Sequence, residues 1–400
     1  MYHFEEGIER RNTNCDKWDA PFVGQDVIPM WVADMDFAIA PAITERLVKV
    51  ADQGAFGYQF LSDTYYDAVR CFMKERHNYE VKKEWICFVP NVVLGLFFAL
   101  QTVTEEGDEI LIQTPVYGPF FKVINESNRV LVESRLRNVN GYYTMDMEDI
   151  EKRITPKTKA LLLCNPHNPS GRVWKKEELR ELVKICAKHD ICIISDDIHS
   201  DIIRKGQQHT MIAPICREMG VKCISCTSPS KPFNLASIHV ANCIIEDDEI
   251  REKFQKLLQI HHVTECSAFA EAALVGAYNE SRDWLDEVNK YIDENVEYFV
   301  NTVHEKLPFL HVCKPEGTYL IWVDFSDTTL QQDKIKEYLH EKCKVLVNPG
   351  EFFGEAGKGF VRFNVACPRK NIEEALERIC RNLIQLFYLK QDSDARQQYD

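Results

Sequence analysis

The chain has 400 residues, 45% of them hydrophobic, 28% charged and 11% aromatic, which is an ordinary globular composition and excludes a mainly disordered or fibrous protein. Its 62 acidic residues outnumber its 48 lysines and arginines, and the resulting net charge of −14 opposes non-specific binding to nucleic acid or to an anionic membrane. The length predicts two or three domains, each large enough to bury a substantial core.

The N-terminal region lacks the pattern of a targeting or membrane segment. Residues 1–18 carry charges where a signal peptide needs an apolar core, and no run approaches the roughly 18 apolar residues of a membrane span. We therefore predict a cytoplasmic protein with no membrane partner. Pro29 and Pro41 interrupt the first 45 residues, which are too short to fold alone and are predicted to pack with the C-terminal part.

Short apolar runs in the middle of the chain alternate with a clear helical pattern. Strands are predicted at 109–113, 160–164, 191–194 and 223–226, and apolar residues at helical spacing predict a helix over 175–189. A strand, a helix and a strand within about 35 residues form a βαβ unit, which implies parallel strands and a right-handed crossover. The sequence therefore predicts an α/β sheet.

After about residue 285 the pattern changes to that of a smaller α+β domain. Its predicted elements are a helix over 284–307, a strand over 317–324, a helix over 330–342, strands over 345–347 and 360–365, and a last helix over 371–389. We divide the chain into an N-terminal segment (1–45), a large domain (46–284), a small C-terminal domain (285–390) and a frayed tail (391–400).

The 15 cysteines are predicted to be mainly small core residues, because many lie inside apolar runs. Cys223 and Cys226 form a single C-x-x-C with no second ligand pair at matching spacing, so core packing is favoured over zinc and no metal site is predicted. The odd total, in a long chain without a signal peptide, argues against a disulfide framework.

Four side chains that follow predicted strands are candidate site residues, namely Tyr117, Asn168, Asp196 and Lys231. Ligands bind α/β sheets outside the carboxyl ends of the strands, so these four should lie together. Three of them also have an ordinary explanation: Tyr117 as an aromatic in a surface turn, Asn168 as an Asx turn and Lys231 as a solvated loop charge. Asp196, however, ends an apolar strand, where a buried carboxylate needs a cation or strong donors. A lysine in a restrained loop can form a Schiff base.

Three segments carry a family resemblance: 165–171 (Asn-Pro-His-Asn-Pro-Ser-Gly), 195–201 (Ser-Asp-Asp-Ile-His-Ser-Asp) and 228–236 (Ser-Pro-Ser-Lys-Pro-Phe-Asn-Leu-Ala). They resemble the fold-type I pyridoxal-phosphate enzymes of the class I/II aminotransferase superfamily. Residues 30–37 (Met-Trp-Val-Ala-Asp-Met-Asp-Phe) and 348–369 are similar to its cystathionine β-lyase branch, the MalY/PatB-like carbon–sulfur lyases. The resemblance implies a large domain with a mainly parallel seven-stranded sheet sandwiched by helices, plus a smaller α+β domain.

The resemblance also implies the cofactor, pyridoxal 5'-phosphate, and a role for each matching residue. Lys231 would form the Schiff base, Asp196 would pair with the pyridinium nitrogen, Asn168 would contact the ring oxygen with His199 nearby, Tyr117 would stack on the ring, and Ser228 with the amides at Val92 and Val93 would hold the phosphate. Arg362 would bind the substrate carboxylate beside Ala33 and Tyr117, and Tyr58 would reach the phosphate of a neighbouring subunit. These roles imply a homodimer with shared sites.

Four positions depart from the family pattern. Asn91 stands where relatives have glycine before the phosphate-binding amides, and since Asn tolerates positive φ the turn is expected to survive. Asp197 replaces a glutamate, Pro232 a threonine and Ser237 a glycine. Pro232 removes a backbone N–H beside the lysine, which could alter its reach or a phosphate contact.

The function predicted is β-elimination from L-cystathionine or another cysteine S-conjugate, giving a thiol, pyruvate and ammonia. An aminotransferase would use the same residues and differs only in whether a keto acid is required. A regulatory protein that keeps the fold would bind the cofactor with negligible turnover. A nucleotide-binding Rossmann protein is disfavoured because no G-x-G-x-x-G follows a strand.

Overall fold

A computed structural model describes the backbone of residues 2–397 and the side chains as far as residue 384. The helices are α1 (Asp16–Asp19), α2 (Pro41–Gln53), α3 (Asp63–His77), α4 (Val92–Val103), α5 (Pro119–Glu126), α6 (Met147–Arg153), α7 (Lys176–Lys188), α8 (Ala213–Glu218), α9 (Asp248–Ile260), α10 (Ala268–Glu280), α11 (Arg282–Lys306), α12 (Ile335–Glu341) and α13 (Arg369–Gln397). The strands are β1 (Ile28–Pro29), β2 (Ile86–Val89), β3 (Glu109–Thr114), β4 (Val130–Arg135), β5 (Arg137–Val139), β6 (Tyr142–Thr144), β7 (Thr158–Cys164), β8 (Cys192–Asp196), β9 (Cys223–Thr227), β10 (Ala241–Ile245), β11 (His311–Cys313), β12 (Leu320–Asp324), β13 (Val345–Leu346), β14 (Asn348–Pro349) and β15 (Phe360–Asn364).

Seven strands form the main sheet in the order β2-β10-β9-β8-β7-β3-β4. β10 is antiparallel to both of its neighbours, and the remaining pairs are parallel. This confirms the predicted seven-stranded, mainly parallel sheet. Its central strands are buried on both faces, as expected when helices cover both sides.

Alternate residues of the central strands enter two hydrophobic cores on opposite faces of the sheet. Leu162 and Ile194 pack in the core that includes residues of α4 and α9. Leu161 and Ile193 pack in the core that includes residues of α7 and α10. The helices therefore sandwich the sheet, and its carboxyl edge is left between them for a site.

The predicted elements of the middle region are all present, with ends that differ by a few residues. The helix predicted over 175–189 is α7, and the strand predicted over 160–164 is β7. The strand predicted over 317–324 begins only at Leu320, because Thr318 has a φ of 66°, in the left-handed region that a strand cannot adopt. The helix predicted over 330–342 is divided into a 3-10 turn, Gln332–Lys334, and α12.

The C-terminal region contains a four-stranded antiparallel sheet in the order β11-β12-β15-β14. The N-terminal segment contacts this region, because β1 pairs in parallel with β13 and the Met30 amide donates to Leu346 at 2.8 Å. The division of the chain into domains, including the assignment of residues 1–45, stays a prediction. Pro41 does not interrupt the fold, because it is the first residue of α2, where no backbone N–H is needed.

The final helix is longer than the sequence predicts. α13 continues to Gln397, so it extends into the segment 391–400 that we expected to be frayed, and residues 398–400 lie outside the described part of the chain. Among the described residues, none of the helices combines the length and apolar character needed to cross a membrane.

Candidate active site

A cavity of about 190 Å³ lies at the carboxyl edge of the seven-stranded sheet. Nine of the predicted site residues line it: Ala33, Val92, Val93, Tyr117, Asn168, Asp196, His199, Ser228 and Lys231. Tyr58 and Arg362 are not among the lining residues. The structure thus brings together side chains that the sequence spreads over some 200 positions, as expected for loops that follow neighbouring parallel strands.

The amine of Lys231 points into this cavity from the loop that follows β9. Its Nζ donates to the carbonyl oxygen of Ala33 at 2.6 Å. Burial lowers the pKa of Lys231 to about 8, although the carboxylates of Asp34 and Asp196 act in the opposite direction. About a tenth of the amine is therefore unprotonated at pH 7, far more than at the usual pKa of a lysine, and a nucleophilic or basic lysine requires this unprotonated form.

The loop around Lys231 does not depend on an amide at position 232. Two backbone hydrogen bonds close the loop, from Phe233 to the Pro229 carbonyl at 3.0 Å and from Leu235 to the Ser230 carbonyl at 2.9 Å. The donors of both bonds are other residues, so the missing N–H of Pro232 removes neither of them. Any effect of Pro232 must come from its restricted φ.

Asp196 is the last residue of β8 and its side chain is buried. One carboxylate oxygen accepts from the Ile198 amide at 3.2 Å. Burial raises the pKa of Asp196 to about 7, opposed by that hydrogen bond and by the charge of Lys231. A buried carboxylate with so little compensation gains from a cation placed against it.

The N-terminus of α4 and the serines beside Lys231 also line the cavity. Asn91 caps this helix, with its side-chain oxygen accepting from the Leu94 amide at 2.9 Å. Its φ is −155°, so our expectation of a positive φ at Asn91 is wrong: the residue acts as an N-cap. The amides at the start of α4 are suited to an anion such as phosphate.

The Ser228 hydroxyl is already engaged in the structure. It donates to the Val240 carbonyl at 2.6 Å and accepts from the Ser230 amide at 3.0 Å. A contact between Ser228 and a phosphate therefore requires its hydroxyl to turn away from Val240. Ser230, which also lines the cavity, is a second hydroxyl that the sequence reasoning did not single out.

Arg362 lies behind the cavity on β15 and reaches it through Asn168. Its Nη1 donates to the side-chain oxygen of Asn168 at 3.1 Å, and its Nη2 donates to the Trp31 carbonyl at 2.7 Å. Burial lowers its pKa to about 10, and within the described residues no carboxylate pairs with it. A buried guanidinium without a carboxylate partner is a suitable receptor for a carboxylate ligand.

The remaining predicted residues enclose the cavity. The Tyr117 ring lines it, and burial raises the pKa of its hydroxyl to about 12. Burial and the charges of Lys231 and Arg362 hold the pKa of His199 well below its usual range, so its imidazole is neutral. The Nδ1 atom of His199 is buried without a hydrogen-bond partner among the described residues.

Residues 31–37 form a strap without regular secondary structure that crosses the site, and side chains hold its backbone. Asn364 donates to the carbonyls of Val32 and Asp34, both at 2.6 Å. Asn234 bonds both the amide and the carbonyl of Met35, at 3.0 and 2.9 Å. The strap thereby presents the Ala33 carbonyl to Lys231.

Sequence reasoning missed these asparagines and also Tyr319, whose hydroxyl donates to the Ala33 carbonyl at 3.0 Å. Tyr319 is fully buried and stands edge-on to His199, with ring centroids 5.8 Å apart. Its position directly before the apolar strand β12 could have indicated a site residue, since a buried hydroxyl needs a hydrogen-bond partner.

Tyr58 lies away from the Lys231 cavity. It is 95% exposed and lines a second, open cavity of about 630 Å³, formed by residues 56–59 and 265–269. Within one subunit the structure therefore does not bring Tyr58 to the phosphate side of the site.

The residues of the cavity fit pyridoxal phosphate. The start of α4 is suited to the phosphate, and Asp196 to a protonated ring nitrogen. Between them, Lys231 supplies an amine and Tyr117 an aromatic face. The cavity thus contains suitable partners for the phosphate, the ring nitrogen, the aldehyde and the ring face of this cofactor.

Comparison with known proteins identifies the family. The model of the aminotransferase class I and II family matches residues 25–379. The chain belongs to this family. Within the class I and II aminotransferases, it is 38% identical over 381 residues to cystathionine beta-lyase PatB of Bacillus subtilis, covering 94% of this chain and 98% of the relative. It is 30% identical to protein MalY of Escherichia coli over 94% of this chain and 97% of MalY.

Among solved structures, this class I and II aminotransferase chain is similar to cystalysin from Treponema denticola, which contains pyridoxal 5'-phosphate. The TM-score is 0.93 at 37% identity, covering 96% of this chain and all (100%) of cystalysin. The comparison confirms both the family and the α/β fold that the sequence predicts.

Proposed function

We propose that the protein is a pyridoxal-phosphate-dependent carbon–sulfur lyase. It eliminates the β-thiol from L-cystathionine or a related cysteine S-conjugate and gives the thiol, pyruvate and ammonia. The observation that carries this proposal is the Lys231 amine, held at 2.6 Å from the Ala33 carbonyl in a cavity that fits the cofactor. The similarity to cystathionine beta-lyase PatB over almost the whole chain favours elimination as the reaction.

Bound pyridoxal phosphate supplies the electron sink for negative charge that develops at the substrate α-carbon. Lys231 is the residue that would hold the cofactor through its amine. The same amine would accept the α-proton of the substrate, a role to which its pKa of about 8 is suited. Its contact with the Ala33 carbonyl restrains the amine on the substrate side of the cavity.

The other residues bind and orient. Arg362 binds the substrate carboxylate and so directs the α-hydrogen toward Lys231. Asn168 is held by Arg362 through its oxygen, which leaves its amide nitrogen to donate toward the cofactor oxygen. Asp196 would hold a proton on the ring nitrogen of the bound cofactor by its negative charge, and Tyr117 would limit the access of water to the ring.

Products separate this function from that of an aminotransferase. With L-cystathionine and pyridoxal phosphate, we expect the purified protein to release thiol and pyruvate in equal amounts without an added 2-oxo acid, because elimination needs no amino acceptor. The measurement is a thiol assay coupled to pyruvate detection. L-alanine, which has no β leaving group, is the control and should give no pyruvate.

Turnover that requires a 2-oxo acid and releases no thiol would instead support the aminotransferase. Bound cofactor with negligible turnover on all cysteine S-conjugates would support the regulatory protein. A cytoplasmic location and the absence of nucleic acid and membrane partners remain predictions from the composition and charge.

We further propose a homodimer in which Tyr58 completes the partner's site. Tyr58 and Phe60 are 95% and 87% exposed, and Phe56 beside them is 63% exposed. Large apolar side chains clustered on a surface are typical of an interface. Tyr58 lies outside the cavity of its own subunit. We therefore place it at the phosphate side of the cavity in a second copy of the chain.

Mixed dimers test this arrangement. We expect Lys231→Ala and Tyr58→Phe subunits, refolded together in equal amounts, to regain about one quarter of wild-type activity, because half of the dimers then contain one intact site. Pairing Lys231→Ala with the double variant Lys231→Ala/Tyr58→Phe is the control and should give no gain. Hybrids no more active than the separate variants would rule out shared sites.

A further inference from the structure

The strap that crosses the site is anchored by a buried group of charges. Lys17 on α1 is only 1% exposed, and its Nζ lies 2.8 Å from Asp36 Oδ2 and 3.4 Å from Asp34 Oδ1. Arg10 approaches the same two carboxylates, at 2.7 Å from Asp34 and 3.0 Å from Asp36. Two cations and two anions thus form one cluster beside the strap.

This cluster lies next to the contact made by the catalytic lysine. Asp34 directly follows Ala33, whose carbonyl accepts from Lys231 Nζ at 2.6 Å. The Ala33 carbonyl belongs to the peptide unit that Ala33 shares with Asp34, so contacts that hold Asp34 also help to hold the group that accepts from the Lys231 amine. The charge of Asp34 also acts on that amine and raises its pKa, against the larger effect of burial.

Lys17 is the buried cation of the cluster. Burial opposes its charged form, but the carboxylates of Asp36 and Asp34 raise the pKa of Lys17 above its usual value, so it stays protonated. A fully desolvated ammonium is costly and persists only where its partners compensate for the lost water. Arg10, by contrast, is partly exposed, with 19% of its side chain accessible.

We propose that Lys17 is a positioning residue for Lys231. Its ammonium lies 3.4 Å from Asp34 Oδ1 and offsets the negative charge of Asp34 beside the Ala33 carbonyl, while its own hydrogen bond to Asp36 helps to hold the strap that presents this carbonyl to the Lys231 amine. The hydrogen bond to the Asp34 carboxylate itself comes from Arg10, at 2.7 Å. This inference rests on the proposed function, since it assigns Lys17 a part in preparing the lysine that binds the cofactor.

The charges that face Lys231 and Lys17 determine in which direction a substitution at position 17 or 34 changes the protonation of the Lys231 nitrogen. The charged groups acting on Lys231 are Asp34, Asp196 and Arg362, and those acting on Lys17 are Asp34 and Asp36, with Arg10 bound to the same carboxylates. The thiol of Cys367 also faces Lys17 but is neutral, because burial raises its pKa to about 12. Removing the cation at position 17 leaves Asp34 less compensated, which favours the protonated nitrogen of Lys231. Removing the anion at position 34 favours the unprotonated nitrogen.

The test is a pH titration of the visible absorbance of the holoenzyme. In Lys17→Met, which keeps the length of the side chain without its charge, we expect the midpoint to move to higher pH by roughly one unit. Lys17→Arg, which keeps the charge, should restore the wild-type midpoint. Asp34→Asn should move the midpoint to lower pH.

Lys253→Met is the matched control, because exposed Lys253 makes an ion pair with Glu249 at the same distance of 2.8 Å. Its midpoint should stay that of the wild type. A Lys17→Met variant that binds the cofactor with an unchanged midpoint overturns the inference, even if its melting temperature falls. If Lys17→Met does not fold, an unchanged midpoint in Asp34→Asn overturns it equally. A wild-type protein that shows no cofactor absorbance contradicts the proposed function and this inference together.

Discussion

Lys231→Ala is expected to lower kcat for β-elimination by about 10²- to 10⁴-fold, the range typical of a lost acid–base group. In the function we propose, this variant loses both the covalent attachment of the cofactor and the amine that accepts the α-proton. The amine of Lys231 is the one that enters the cavity beside Asp196, and burial lowers its pKa to about 8. Its loss therefore cannot be compensated from within the site.

Steady-state rates and borohydride reduction together measure this effect. After reduction, the cofactor should remain attached to wild-type protein and be released from Lys231→Ala on denaturation. Lys253→Ala, which removes an exposed lysine at a distance from the cavity, is the control and should behave as wild type. Wild-type turnover in Lys231→Ala, or reductive labelling of another lysine, would contradict the assignment.

Asp196→Asn is expected to lower kcat by roughly 10²- to 10³-fold, as for other losses of one preorganised electrostatic partner. Asparagine has nearly the shape of aspartate but carries no negative charge to keep a proton on the cofactor ring nitrogen. The carboxylate is buried at the end of β8 and has only the Ile198 amide as a hydrogen-bond partner among the described residues. A cation bound against the carboxylate would therefore stabilise its charged form.

The comparison for this variant is Asp201→Asn. Asp201 is also buried, but it pairs with His77 at 2.9 Å and does not line the cavity. We expect Asp201→Asn to affect the melting temperature while kcat stays near the wild-type value. Equal losses of kcat in the two variants would show that burial of a carboxylate, and not its contact with the cofactor, explains the Asp196 result.

The strands of the main sheet could be predicted because each is an apolar run bounded by polar loops. The runs at 160–164 and 191–194 correspond to β7 and β8. The order of the strands and the reversed direction of β10 were not predictable from local patterns. They depend on pairing between segments far apart in the chain, and periodicity within a segment carries no information about its neighbour.

The central part of the site was predictable for a related reason, since loops after parallel strands share one edge of the sheet. Lys17 was not, because in the sequence it stands in a charged, polar segment that reads as exposed. Only the fold shows that two carboxylates meet its ammonium. Asn91 shows a different limit: asparagine suits both a left-handed turn and a helix cap, so residue type alone could not decide between them.

The strap joins the two sheets mechanically. Asn364, on the four-stranded sheet, donates hydrogen bonds to the strap at Val32 and Asp34. Asn234, on the loop of Lys231, forms a hydrogen bond with the strap at Met35. A rotation of one sheet against the other must stretch these bonds or carry the strap along. The Ala33 carbonyl would then shift relative to the Lys231 amine. Such a rotation would therefore change the hydrogen bond that restrains this amine, without a separate lid.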